Sequence, residues 1–278
     1  MEFLTRGASV RDRMRQWRAT GSSVALVPTA GTLHKGHMSL VAEAQERADH
    51  VVVSMVADPG DREVPTVEAD RELVQKIGAS VLFVPPLQEI YPIGRELAAM
   101  VRVAAPADDP EGARRAEHFS RTATLLVKLF NLIGPDIAVF GERDFQQLAM
   151  VRRLVDDLFL PIEVVGCPVW RDGDGLAVAT ANRQLAADER ALAPRLHATL
   201  SEYASRIDAG ERDYEALQRQ GMDALRALGF APEYFAIRQA ADLREVRPGA
   251  RDLVLLAAAR LNSHRLTDNV RARVIDRY

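Results

Sequence analysis

Short apolar runs alternate with amphipathic stretches over the first two-thirds of the chain. The runs at 24–27, 51–56, 81–84, 137–140 and 162–165 have strand length, and residues 38–48, 68–77, 120–133 and 146–158 carry apolar positions at helical spacing. That rhythm predicts a parallel sheet crossed by helices. The valine-rich runs at 24–27 and 51–56 lack polar alternation, as strands buried on both faces do, and read as central strands. A dense turn follows at Trp170-Arg171-Asp172-Gly173-Asp174-Gly175. Beyond about residue 176 the composition shifts to Ala, Arg and Glu. Two long amphipathic helices are expected there, near 187–209 and 212–228, then extended segments at 234–238, 253–259 and 271–275. The expected architecture is α/β: a Rossmann-like doubly wound parallel sheet over residues 1–175, and a smaller α+β C-terminal domain with an antiparallel sheet over 176–278, closing over a shared cleft. No internal repeat or low-complexity linker interrupts this pattern.

Composition narrows the partners. With 36 basic and 39 acidic residues among 278, the formal net charge is -3, which offers no global attraction to nucleic acid or to an anionic membrane. A small molecule is the expected partner. No apolar run approaches the roughly 18 residues of a membrane-spanning helix, and MEFLTRGASVRDRMRQW lacks the apolar core of a signal peptide, so a cytoplasmic location is expected. The single cysteine, Cys167, excludes an internal disulfide and reads as a small buried hydrophobe.

Candidate chemistry lies where the first central strand gives way to a helix, in Pro28-Thr29-Ala30-Gly31-Thr32-Leu33-His34-Lys35-Gly36-His37. Proline ends the strand, glycines open the turn, and His34 and His37 stand three apart where the helix begins. Both imidazoles can therefore point the same way, beside unpaired backbone N–H groups and the positive end of the helix dipole. An anion is the expected guest, and a triphosphate suits donors that can follow charge as it builds on phosphate oxygens. Two histidines near a helix start can equally be ordinary turn residues. Their position beyond the C-terminal end of a central strand favours a site. A metal site is the weaker reading, because no third ligand lies close by in sequence.

The segment VPTAGTLHKGH resembles the VPTMGALHEGH signature of the pantothenate synthetase family, nucleotidylyltransferase-superfamily enzymes that share the HxGH element with class I aminoacyl-tRNA synthetases. The likeness continues through His118-Phe119, Gly134-Pro135-Asp136, Phe140-Gly141-Glu142-Arg143-Asp144-Phe145-Gln146-Gln147 and Asp174-Gly175-Leu176-Ala177. It extends to Ala258-Ala259-Arg260-Leu261 and Leu266-Thr267-Asp268-Asn269 near the end. The resemblance implies an ATP-dependent, AMP-forming ligase that joins a carboxylic acid to an amine through an acyl adenylate, with Mg²⁺ accompanying ATP. It also implies that His34 and His37 contact the phosphates and that Gly31 and Gly36 admit the backbone close to the nucleotide. Gly141 and Asp144 would hold the adenosine, Asp144 on the ribose; Gln147 would meet the acid, and His118 is either a ligand contact or a helix-start residue. Pro28 and Thr29 belong to the same ATP-binding loop. A homodimer is implied as well.

Departures from the family pattern fall where its members touch substrate. FVNPxQF is replaced by Val56-Ala57-Asp58-Pro59-Gly60-Asp61-Arg62, so Asp61 stands where a glutamine would grip the acid, and Asp58 replaces the neighbouring asparagine. A carboxylate facing a carboxylate is repulsive, which points to an altered acid or amine. The MSSRN loop reads Val178-Ala179-Thr180-Ala181-Asn182: Thr180 keeps one hydroxyl, the aligned arginine is Ala181, and Arg183 follows two residues on. Arg143 replaces a lysine, Arg121 a glycine and Ala30 a methionine. Losing one phosphate-contacting cation costs on the order of 3 kcal/mol of transition-state stabilisation unless it is replaced. Three readings stand: a ligase with changed substrates whose phosphate grip is rebuilt from Arg121, Arg143 and Arg183, a nucleotidylyltransferase that releases an adenylated product, or a nucleotide-binding protein impaired in catalysis.

Overall fold

The computed structural model describes residues 1–56, 67–103 and 111–274. In chain order the elements are β1 (Glu2–Leu4), α1 (Gly7–Ala19), β2 (Val24–Thr29), α2 (Lys35–Arg47), β3 (His50–Met55), α3 (Val67–Ile77), β4 (Val81–Phe83), α4 (Leu87–Ile90), α5 (Gly112–Ile133), β5 (Ile137–Gly141), α6 (Phe145–Asp157), β6 (Glu163–Cys167), α7 (Ala187–Leu192), α8 (Pro194–Asp208), α9 (Tyr214–Ala227), β7 (Ala231–Gln239), β8 (Asp252–Leu261) and β9 (His264–Arg273). Two compact units share them. Of the described residues, one holds 1–56, 67–103, 116–142 and 150–169; the other holds 111–115, 143–149 and 170–274. The chain thus passes between units at the start of α5, after β5 and within α6. Hydrophobic periodicity is a local property and carries no trace of such crossings.

The first unit is a six-stranded parallel sheet in the order β1-β4-β3-β2-β5-β6. Val24, Ala25, Leu26 and Val27 of β2 are fully buried, as central position and continuous apolarity require. Val27, Val53, Leu82 and Val139 from four strands pack with Val41 of α2 in one core. Strand order reverses between β2 and β5, so the crevice beyond their C-terminal ends is the sheet's switch point. The pattern had shown no element over residues 1–19. β1 is a three-residue edge strand paired to β4, and α1 buries only Gly7, Val10 and Met14, a stripe too narrow to stand out among its arginines.

In the second unit an antiparallel sheet, β7-β8-β9, carries α8 and α9 on one face. Leu253, Leu255 and Ala257 of β8 meet Leu200, Ile207, Leu217 and Leu225 there, while Val254 and Leu256 on the opposite face pack with Phe145 and Leu243. Burial on both faces explains the unbroken apolar run at 253–259. The helix expected over 187–209 is two, α7 and α8. Pro194 opens the second, where its missing N–H costs least. Of the strand expected at 271–275, residues 271–273 end β9, which pairs with β8 along its whole length around Asn262-Ser263, and Ile275 lies outside the described residues. Polar Asp268 and Asn269 had hidden this strand. Both are buried: Arg171 grips the Asp268 carboxylate at two points, 2.7 and 2.9 Å, and Asn269 Nδ2 donates to the Arg143 carbonyl. No helix among the described residues is long and apolar enough to cross a membrane.

Candidate active site

Pro28 and Thr29 end β2, and Thr29 Oγ1 donates to the Ser54 carbonyl of β3 (2.9 Å). Ala30 is exposed. Gly31 follows at φ +97°, a conformation that side-chain-bearing residues rarely adopt, so glycine is required there. The loop is anchored by Asp70 of α3, a buried carboxylate that accepts the N–H groups of Thr32 (2.7 Å) and Leu33 (2.8 Å). Sequence reading missed Asp70. In the sequence it is one acid in the first turn of an amphipathic helix, 38 residues from the loop it holds, and that carries no signal.

His34 is the N-cap of α2. Its Nδ1 accepts the Gly36 N–H (3.1 Å), while His37 Nδ1 accepts the His34 N–H (3.3 Å). This is a capping box with imidazoles in place of the usual hydroxyl and carboxylate. The ring centroids lie 4.1 Å apart, so the two histidines do share a direction. With Nδ1 accepting in each, the neutral rings carry their proton on Nε2, and two N–H donors sit at the dipole-positive helix start. Such a pair suits a polyphosphate.

Gly141 ends β5, the neighbour of β2 across the switch point. His118 is half-buried on α5, its ring 6.0 Å from that of Phe119. Arg121 pairs with Glu117 one turn earlier (2.5 Å) and lines a cavity of about 730 Å³ with Tyr91, Arg95 and Thr124. Asp58 and Asp61 lie outside the described residues. Cys167 is buried, and burial pushes its thiol up to about 11, so it stays protonated at neutral pH and behaves as a small hydrophobe.

The second unit holds a group of its own. Arg143 is exposed, and its carbonyl accepts Asn269 Nδ2 (3.2 Å). Arg115 grips Asp144 with both terminal guanidinium nitrogens (3.0 and 2.6 Å), and Asp144 Oδ1 also accepts the Gln147 N–H (3.1 Å), capping α6. Burial favours the neutral carboxyl, but the Arg115 fork and the Gln147 N–H outweigh it and hold Asp144 below the usual carboxylate range. Gln146 is buried and Gln147 half-buried, so the glutamine pair is not solvated surface. Arg115, Arg143, Asp144, Gln146, Tyr234 and Asp268 are among the residues around a cavity of about 170 Å³. Arg115 carries no local sequence signal: it precedes the helix expected over 120–133, and its partner lies 29 residues away.

Thr180 and Arg183 lie on one 3-10 turn, Thr180–Gln184, with Thr180 half-buried and both Ala181 and Arg183 exposed. Among the described residues no three His, Cys, Asp or Glu side chains are grouped so as to hold a metal ion. No protein cage is therefore assigned to magnesium, which the triphosphate can carry.

The sequence model of the pantoate-beta-alanine ligase family matches residues 2–271. The chain belongs to that family. A curated relative, the pantothenate synthetase of Nitrosococcus oceani, is 43% identical over 284 residues, covering 99% of this chain and 99% of that protein. The crystal structure of the Thermus thermophilus pantothenate synthetase aligns with a TM-score of 0.85 at 37% identity, over 97% of this chain and 99% of that one. A Francisella tularensis pantoate-beta-alanine ligase, complexed with beta-gamma ATP and beta-alanine, shares the fold at 22% identity, with a TM-score of 0.76 and 97% of each chain covered. As a pantoate–β-alanine ligase family member, the chain is an ATP-dependent ligase that forms a C–N bond with release of AMP and pyrophosphate, Mg²⁺ accompanying the nucleotide.

Proposed function

We propose that this ligase activates a small carboxylic acid other than pantoate and passes its acyl group to an amine. A carboxylate oxygen of the acid attacks the α-phosphorus of ATP and pyrophosphate leaves; the amine nitrogen then attacks the acyl carbon and AMP leaves. The observation that carries the chemistry is the His34–His37 pair at the start of α2, each ring held through Nδ1 by a backbone N–H, which assigns phosphate contact to Nε2. They bind the phosphates and stabilise charge on the departing pyrophosphate, and Asp144 accepts a ribose hydroxyl. Pro28, Thr29, Gly31, Gly36 and Gly141 admit the nucleotide, while Thr180, Arg143 and Arg183 supply further phosphate contacts. Ala30, Asp58, Asp61, His118, Arg121 and Gln147 form the acid's surroundings; Ala30, Asp58, Asp61 and Arg121 depart from the family pattern and carry the change of substrate. The protein acts as a homodimer.

A second reading is ordinary pantothenate synthesis, favoured by 43% identity to a pantothenate synthetase across the whole chain. The two readings separate in one experiment: pyrophosphate release with ATP and Mg²⁺ across a panel of small acids, pantoate included, with β-alanine and other amines, and mass spectrometry of the products. Faster turnover of an acid other than pantoate is the expected result. Brisk turnover of pantoate with β-alanine above every other pair would sink the altered-substrate reading and leave the second standing.

A further inference from the structure

We infer that Arg115 is the positioning residue of the nucleotide site, a two-point clamp that fixes the direction of the Asp144 carboxylate and leaves it one open acceptor position. The inference rests on the reading of Asp144 as the ribose ligand proposed above.

The geometry is specific. A carboxylate has about four lone-pair directions. On Oδ1, Arg115 Nη1 (3.0 Å) and the Gln147 N–H (3.1 Å) take two; on Oδ2, Arg115 Nη2 takes a third at 2.6 Å. One acceptor direction remains, on Oδ2, which matches a ligand that donates one hydroxyl to this carboxylate. A fork-to-carboxylate pair also fixes the carboxylate plane, which a single ammonium contact would not. Arg115 is a first-turn residue of α5, while Asp144 stands at the start of α6, so the pair ties two segments that are 29 residues apart.

The clamp is itself surrounded by charge. Arg143 on the same turn as Asp144, Arg265 and Asp268 of β9, and Tyr234 of β7 line the same cavity. Arg265 is turned to other acids, bonding Glu111 and Glu233, and Asp268 is held by Arg171. Arg115 is thus the cation that meets Asp144 directly. Remove it, and burial is opposed by the Gln147 N–H and the charge of neighbouring Arg143 without the two-point fork, so the neutral acid gains ground. A protonated Asp144 would present a donor on one oxygen and lose the charge that attracts a hydroxyl proton.

The test uses the full-length protein with Arg115→Met, Arg115→Lys and Asp144→Asn, whichever acid gives pyrophosphate release. For Arg115→Met, KM for ATP should rise about tenfold with a smaller change in kcat, and the acidic limb of kcat/KM for ATP should move upward by about one pH unit or more. Arg115→Lys should recover part of both effects, since it restores the charge without the fork. Two results overturn the inference alone. One is Asp144→Asn raising KM for ATP while Arg115→Met leaves it unchanged; the other is Arg115→Met and Arg115→Lys being equally impaired with the acidic limb unmoved, the mark of a merely structural role. If Asp144→Asn itself leaves KM for ATP unchanged, the ribose assignment falls, and this inference with it.

Discussion

His34 serves two purposes with two atoms. Nδ1 closes the start of α2 through the Gly36 N–H, and Nε2 carries the donor proposed for phosphate. The two can be separated. Asparagine is a good N-cap, so His34→Asn should keep α2 and change unfolding free energy by less than about 1 kcal/mol. The same variant should lose about a hundredfold in pyrophosphate release, the cost of one transition-state donor. Release at the wild-type rate from a folded His34→Asn protein would remove His34 from the phosphate site. The HxGH residues were legible in the sequence because strand, turn and helix start are contiguous there. Asp70 and Arg115 were not, since each acts on a segment far away in the chain and neither belongs to a local motif.

Between β2 and α2 the loop is an element whose shape is set from outside. Gly31 at φ +97° and Thr32 at φ +54° hold a conformation that the Asp70 carboxylate rewards with two hydrogen bonds to consecutive N–H groups. Asp70→Ala would leave Thr32 N and Leu33 N without that acceptor in a buried setting, at a cost of about 2 to 4 kcal/mol in chemical unfolding. KM for ATP should rise with it, because the loop leads directly into His34. Asp70→Asn keeps one good acceptor oxygen and should fall between the two. An Asp70→Ala protein of wild-type stability and ATP affinity would show that the loop holds its shape unaided. The same logic explains β9. Its apolar alternation is interrupted by Asp268 and Asn269, both buried: Arg171 from the turn at 170–175 meets the Asp268 carboxylate, and the Asn269 side chain donates to the Arg143 carbonyl.

At the scale of the whole molecule, exposed Ile93, Leu97 and Met100 fall within eight consecutive residues of the first unit, at 66%, 74% and 60% exposure. Large apolar side chains concentrated in one exposed segment are a candidate surface for the homodimer proposed above. Light scattering should then give twice the 30.7 kDa of one chain, and Leu97→Arg should shift the protein towards the single-chain mass. A single-chain mass for the unaltered protein at micromolar concentration would exclude the dimer. The alternation of apolar runs with amphipathic helices determined the parallel sheet and its central strands, because burial on two faces leaves a continuous apolar record in the chain. The HxGH element pointed to the family, because its residues are neighbours in sequence as well as in space. Only the tertiary structure decided that 111–115 and 143–149 fold with the C-terminal part, that Asp70 shapes the loop, and that Arg115 holds Asp144. Those contacts join residues tens of positions apart, and a polar side chain is buried or solvated according to the partner that the fold brings to it.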